Sequence, residues 1–285
     1  MATRRGFTLV ELLVALVLLA IVGGAIIKLL ASSQRLSRQQ SEQVLLQANV
    51  RSGALLIPAE LRELSVSATG TDIVSMAASS ITYRALRASG AACQVTAGSP
   101  GSVRLRRSLY FGYRTLAATR DSLLIFMDVD PNITTDDRWS AFAVTGTPTV
   151  GTCPDGQPAL VVPAIVHADS VAKMQIEAPV RSFEIMQMAL FQQDGKYWLG
   201  ARSVSADPAS ALQPVLGPLR SDGVQLSYLA ANGAATAVPA QVRTIEVMVR
   251  GLTQHATSVG AGATDLRLSQ DTLLTRIRLR NAPAL

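Results

Sequence analysis

From Leu12 to Ile27 the chain carries no polar side chain, and no other stretch matches that run. At 1.5 Å per residue a helix extended from Phe7 to Leu30 spans about 36 Å, enough to cross a hydrocarbon core of about 30 Å. The pattern then changes. Ser32 to Gln43 is polar apart from Leu36, and Val44, Leu45, Ala48, Leu55, Leu56, Leu61 and Leu64 return at three-, four- and seven-residue spacings. These spacings predict that the helix continues outward and gains an apolar stripe on which a globular region can rest. A helix from Phe7 to Ile57 is roughly 76 Å long, and Pro58 is expected to break or kink it near its end.

Past residue 70 the texture is one of short alternating apolar runs between Gly, Pro, Ser and Asp, the pattern of antiparallel sheet. The predicted strands are 81–86, 103–110, 122–128, 139–145, 159–166, 180–192, 196–203, 224–230, 242–250 and 273–280. Asp194-Gly195 and Asn232-Gly233 suit the positive φ angles of tight hairpins. Segments 201–218 and 253–265 read as surface loops. The expected fold class is therefore α+β, with a long N-terminal α-helix as a transmembrane stalk and an antiparallel β-rich globular head. Its divisions are a leader at 1–6, a membrane part of the stalk at 7–30, an outer part at 31–65 and the head at 66–285.

Composition narrows the class. Hydrophobic residues make up 48% and charged residues 16% of the 285-residue chain, which excludes a disordered or collagen-like polymer. A net charge of +6 is too small to signal nucleic acid on its own. Arg4, Arg5 and the starting amine precede the apolar run, so the positive-inside rule keeps the N-terminus in the cytoplasm and sends the remainder outward. Lys28, near the outer end of the run, reads as a snorkelling interface anchor. A secretory signal peptide cut near Ala31-Ser32-Ser33 is the competing reading. It fits poorly, because such segments have apolar centres of only 7–15 residues and because a carboxylate, Glu11, opens this run.

The residues Arg4-Arg5-Gly6-Phe7-Thr8-Leu9-Val10-Glu11, followed by the apolar run, closely resemble the class III signal of type IV prepilins and type II secretion pseudopilins. The resemblance implies cleavage after Gly6 by a membrane-embedded prepilin peptidase and N-methylation of the new amine on Phe7. It also implies a role for Phe7 and Glu11 in subunit assembly. The physical chemistry is consistent with this. Gly6 lets an extended backbone enter a protease cleft closely, and after cleavage the Phe7 ammonium lies at i,i+4 spacing from the Glu11 carboxylate. The order of segments 180–190, 219–228, 242–251 and 273–281 adds a resemblance to the larger W-type minor pilins and J-type pseudopilins. Such a resemblance implies a single-pass inner-membrane precursor with a periplasmic head that ends in a pilus or pseudopilus, at its tip. Its implied partners are prepilin peptidase, other major and minor pilins or pseudopilins, and the inner-membrane assembly platform.

Other constellations carry less. Cys93 and Cys153 lie in the part expected outside the cytoplasm, where they are expected to form one disulfide, two separate buried thiols being the alternative. Asp128, Asp130, Asn132 and Asp136 place oxygen ligands at alternate positions, as a calcium loop does. Ile133 and Trp139 stand where such a loop wants Gly and Glu, so a noncanonical calcium site competes with a solvated acidic turn. No other cofactor is expected. Arg104, Arg106 and Arg107, with Arg276, Arg278 and Arg280, could contact DNA, but the period-two spacing of the second set favours a solvated strand face. Nucleic acid is not an expected partner. A membrane-anchored periplasmic binding protein for DNA or adhesion remains the alternative, and behind it an enzyme. No CxxC, HExxH, GxSxG or GxxxxGK[ST] pattern supports catalysis, and the two histidines, His167 and His255, read as loop or surface residues.

Overall fold

A computed structural model describes residues 8–67, 70–130, 132–133, 137–258 and 266–279. Helix α1 runs from Leu9 to Leu61, 53 residues and about 80 Å. Pro58 does not stop it. Proline lacks the N–H that would bond back to Ala54, and its own carbonyl accepts the Arg62 N–H at 2.9 Å, which carries the helix through another turn. Burial outweighs the lost bond: Ile57 and Leu61 are almost wholly buried on either side of the proline, each side chain contributing about 1.5–3 kcal/mol.

Short strands β1 (Val66–Ser67) and β2 (Gly70–Thr71) pair with each other after the helix. There follow β3 (Ile73–Ala77), β4 (Ser80–Thr96), β5 (Gly98–Arg106), β6 (Phe111–Gly112), β7 (Ser122–Met127), β8 (Arg138–Ala143), β9 (Thr149–Thr152) and β10 (Pro158–Val166). A one-turn helix α2 (Ala168–Val171) precedes β11 (Ala178–Gln193), β12 (Lys196–Ser203), β13 (Gln213–Leu229) and β14 (Thr244–Leu252). The last strands are β15 (Thr257–Ser258), β16 (Leu266–Arg267) and β17 (Gln270–Arg278). Among the described residues, thirteen strands form one sheet, nine along the path β17-β14-β13-β12-β11-β4-β5-β10-β9 and the other four, β3, β6, β7 and β8, off that path. The long-helix, antiparallel β-rich plan expected from the sequence is the plan observed.

The chain divides into two compact units, Met1–Ala48 with Leu252–Gln270, and Asn49–Gly251 with Asp271–Leu285. In the second, the end of α1 supplies Ile57 and Leu61 to a core shared with Ile81, Tyr83, Leu226 and Ile245. A separate core gathers Val103, Leu123, Ile125, Phe142 and Val162. Gly53 permits close packing on the helix, because a Cβ there would lie 2.5 Å from the tip of Leu216. The Asp194-Gly195 hairpin joins β11 to β12 with both residues at positive φ, 52° and 73°, and Gln193 opposite Lys196. At Asn232-Gly233 the turn is local instead. The Asn232 side chain accepts the Ala234 N–H, and a lone bridge links Leu229 to Ala235.

Two expected loops contain sheet. β13 already begins at Gln213, inside 201–218, and Thr257–Ser258 pairs with Leu266–Arg267. Both segments are rich in Gly, Pro, Ala and Ser, so side-chain alternation is too weak to mark strands whose ladders hold them.

In the first unit Glu42 of α1 receives three hydrogen bonds from the chain after β14. The backbone N–H groups of Gln254 and His255 donate to Oε2 at 2.8 and 3.2 Å, and the His255 ring nitrogen lies 2.8 Å from Oε1. Partial burial pushes the carboxyl upward, but the hydrogen bonds from the His255 ring and the two amides outweigh it and hold Glu42 below its ordinary value. A carboxyl so depressed contributes its stabilisation above the unfolded value of about 4.3, and loses it as pH falls through the lower folded value. Amide-exchange protection at Gln254 and His255 is therefore expected to persist at neutral pH and to fall only below the ordinary carboxylate range. Glu42→Gln should reduce it roughly tenfold at neutral pH, and equal protection in the variant would count against a stabilising role for these hydrogen bonds.

Candidate functional site: the N-terminal segment

Helix α1 begins with a closed cap. The Thr8 carbonyl accepts the Leu12 N–H at 3.2 Å, and the Thr8 hydroxyl oxygen accepts the Glu11 N–H at 3.3 Å. In return Glu11 Oε2 accepts the Thr8 N–H at 3.3 Å and stands 3.4 Å from the Thr8 hydroxyl. Each side chain satisfies the other residue's backbone donor, the reciprocal arrangement of a capping box. Its sequence signal, Thr followed three residues later by Glu before an apolar run, is legible. Viewing Glu11 only as a partner for the terminal amine misses it. The carboxylate also lies in the first turn, where negative charge is favourable to the helix dipole.

Beyond the cap, Leu9, Leu12, Leu13, Leu16, Leu19, Ile27 and Leu30 are all more than half exposed, and nothing in the most apolar window of α1 is buried within the protein. An all-round apolar helix without protein cover is what lipid solvates. Gly6 and Phe7 lie outside the described residues.

Residues 1–27 match the prokaryotic N-terminal methylation motif. Joined to the long apolar helix, the match fits a type IV prepilin-like protein and membrane anchoring. No curated protein and no solved structure matches the chain. A prepilin motif implies processing by prepilin peptidase and assembly with other pilins, and it points to a structural subunit rather than an enzyme.

The other expected site residues are distributed over the head. Cys93, in β4, and Cys153, just after β9, form a disulfide with their Cα atoms 5.7 Å apart. Asp130 uses its carboxylate locally: Oδ1 accepts the backbone and side-chain N–H of Asn132, both at 3.0 Å. These bonds hold its carboxyl below the usual value. The Asp130–Asn132 geometry is that of a capped turn, Asp128 precedes it at the end of β7, and Asp136 lies outside the described residues. Among the described residues, no three His, Cys, Asp or Glu side chains gather where they could share a metal ion. The thermal unfolding midpoint separates the two readings: no movement at millimolar calcium is the result expected of a capped turn, and a rise of several degrees that of a calcium site.

The arginine stripes follow the strand period. Ile277 and Leu279 are buried while Arg276 and Arg278 are exposed. Arg276 pairs with Glu246 at 2.5 Å. Arg106 is held by Asp155 and Glu177 at 2.8 and 2.7 Å, and Arg104 donates to the Thr152 carbonyl at 2.6 Å. Arg280 lies outside the described residues.

Proposed function

We propose that this chain is a minor pilin or pseudopilin subunit. Prepilin peptidase removes the six-residue leader after Gly6 and the new amine on Phe7 is N-methylated. The apolar part of α1 holds the precursor in the inner membrane with its N-terminus cytoplasmic and its head periplasmic. The mature subunit then helps prime or cap a type IV pilus or a type II secretion pseudopilus. Head-to-tail helical assembly needs a heterologous interface that does not close, and the bare apolar face of α1 supplies one once it leaves lipid. The observation that carries the reading is the coincidence of the methylation motif with a capped Glu11 and a helix of membrane length. The size of the head supports a place at the tip, where no further subunit need pack above it.

Intact-mass and N-terminal analysis of the protein from native membranes and from sheared surface filaments tests this. A chain beginning at N-methylated Phe7 in both fractions is the expected result. A chain beginning near Ser32 or Ser33 would replace the reading with a conventional secreted protein. High copy number along the whole filament would remove the tip assignment while leaving the subunit role.

A further inference from the structure

In the second unit, the last turns of α1, the middle of β4 and the loop at Tyr110–Arg114 enclose an open groove of about 1340 Å³, above the usual 300–1,000 Å³ of small-ligand pockets. Its charges are layered. Glu184 lines the floor with its side chain 7% exposed, and the fully buried Asp121 lies outside the lining. Above them Arg114 holds Asp121 through both terminal nitrogens, at 2.6 and 2.8 Å, and also bonds Glu184. Arg87 and Arg120 each stand 3.6 Å from Glu184. The three guanidinium-bearing side chains are 18–36% exposed, so an incoming molecule meets guanidinium edges while the acids beneath fix their orientation. Arginines held in this way lose little rotamer freedom when they take up a further anion.

Two aromatic rings stand at the rim. Phe111 and Tyr113 are 68% and 88% exposed, and both line the groove. Their backbone is fixed: Phe111 and Gly112 pair with Ser89 and Ala88 of β4, and the Tyr113 N–H donates to the Arg87 carbonyl at 3.4 Å. Rigid rings left bare on an anchored segment have the character of recognition platforms. Across the groove stand Glu60, near the end of α1, and Glu63, two residues past it. Glu60 already serves Arg87 at 3.6 Å and the Tyr83 hydroxyl at 3.3 Å.

We propose that this groove binds an acidic oligosaccharide, a chain of sugar rings carrying carboxylates of the uronate or sialate type. Guanidinium edges match the carboxylate, the negative faces of Phe111 and Tyr113 match the C–H face of a sugar ring, and the Glu60 carboxylate accepts sugar hydroxyls. A nucleic-acid strand fits less well, because its closely spaced phosphates would run against Glu60 and Glu63. This inference goes beyond the assembly role and does not depend on it.

The test is calorimetric titration of the full-length protein in detergent micelles with trigalacturonate and with 3′-sialyllactose. Lactose, a short oligothymidylate and a glutamate-rich peptide serve as comparisons. Saturable binding of an acidic sugar over lactose is expected, weakened about tenfold by Tyr113→Ala and by Arg120→Gln. The bare Tyr113 ring makes the first variant safe for folding, and an unchanged thermal midpoint checks this. The proposal is overturned if neither acidic sugar saturates at millimolar concentration. It is also overturned if the oligothymidylate or the peptide binds more tightly than both sugars, or if both variants bind as the parent does.

Discussion

A Gly6→Ala chain is expected to remain at its full mass of 30.1 kDa in the membrane fraction, with processed product falling to near zero. A Glu11→Leu chain should be cut normally yet be missing from sheared filaments. The first expectation rests on the backbone approach that only glycine allows in a cleft, the second on a carboxylate four residues along the sequence from a new ammonium. The capping box adds a control. Thr8→Ala opens the cap at a cost of about 1 kcal/mol but keeps the carboxylate, so it should assemble far better than Glu11→Leu. Mass spectrometry of membrane and filament fractions reads all three. Normal incorporation of the Glu11→Leu chain would sink the assembly role of Glu11, and equal failure of Thr8→Ala would transfer that role from the charge to the cap.

Removing the Cys93–Cys153 bridge is the change expected to cost the head most. The two cysteines are 60 residues apart in sequence, and the chain-entropy model assigns a cross-link over that loop about 4 kcal/mol. Both sulfurs sit in a small buried cluster with Ala159, so the Cys93→Ala/Cys153→Ala chain also loses packing. Urea unfolding of the oxidised and double-alanine proteins in the same detergent measures the difference. A free-energy change below about 1 kcal/mol would mean that the unfolded chain is already compact across that loop.

The stalk and most of the sheet are legible in the sequence because their signals are local. An unbroken apolar run, a basic leader and period-two alternation each declare themselves within a few residues. The expected strands 122–128, 159–166, 180–192 and 196–203 lie within about two residues of β7, β10, β11 and β12 at either end. For β4 the alternation is readable only as far as Leu86, although the strand continues to Thr96, because its later half, Ala88-Ser89-Gly90-Ala91-Ala92, has side chains too small to alternate. Pro58 misleads for a different reason: the helix around it is stabilised by tertiary burial that local propensity does not contain. The groove is illegible altogether. Arg114 meets Glu184 across a separation of 70 residues, and no spacing in the chain announces that the two will meet in one groove.

The far edge of the sheet has a consequence of its own. β9 is four residues long, and the chain leaving it is tied through Cys153 to Cys93 on β4. An edge so short offers a neighbouring molecule little free backbone to template, and the covalent tether keeps it from peeling open into a longer one. Pairing between copies through β9 is thereby discouraged, which leaves β17 at the other end of the path, nine residues long, as the longer edge of the two.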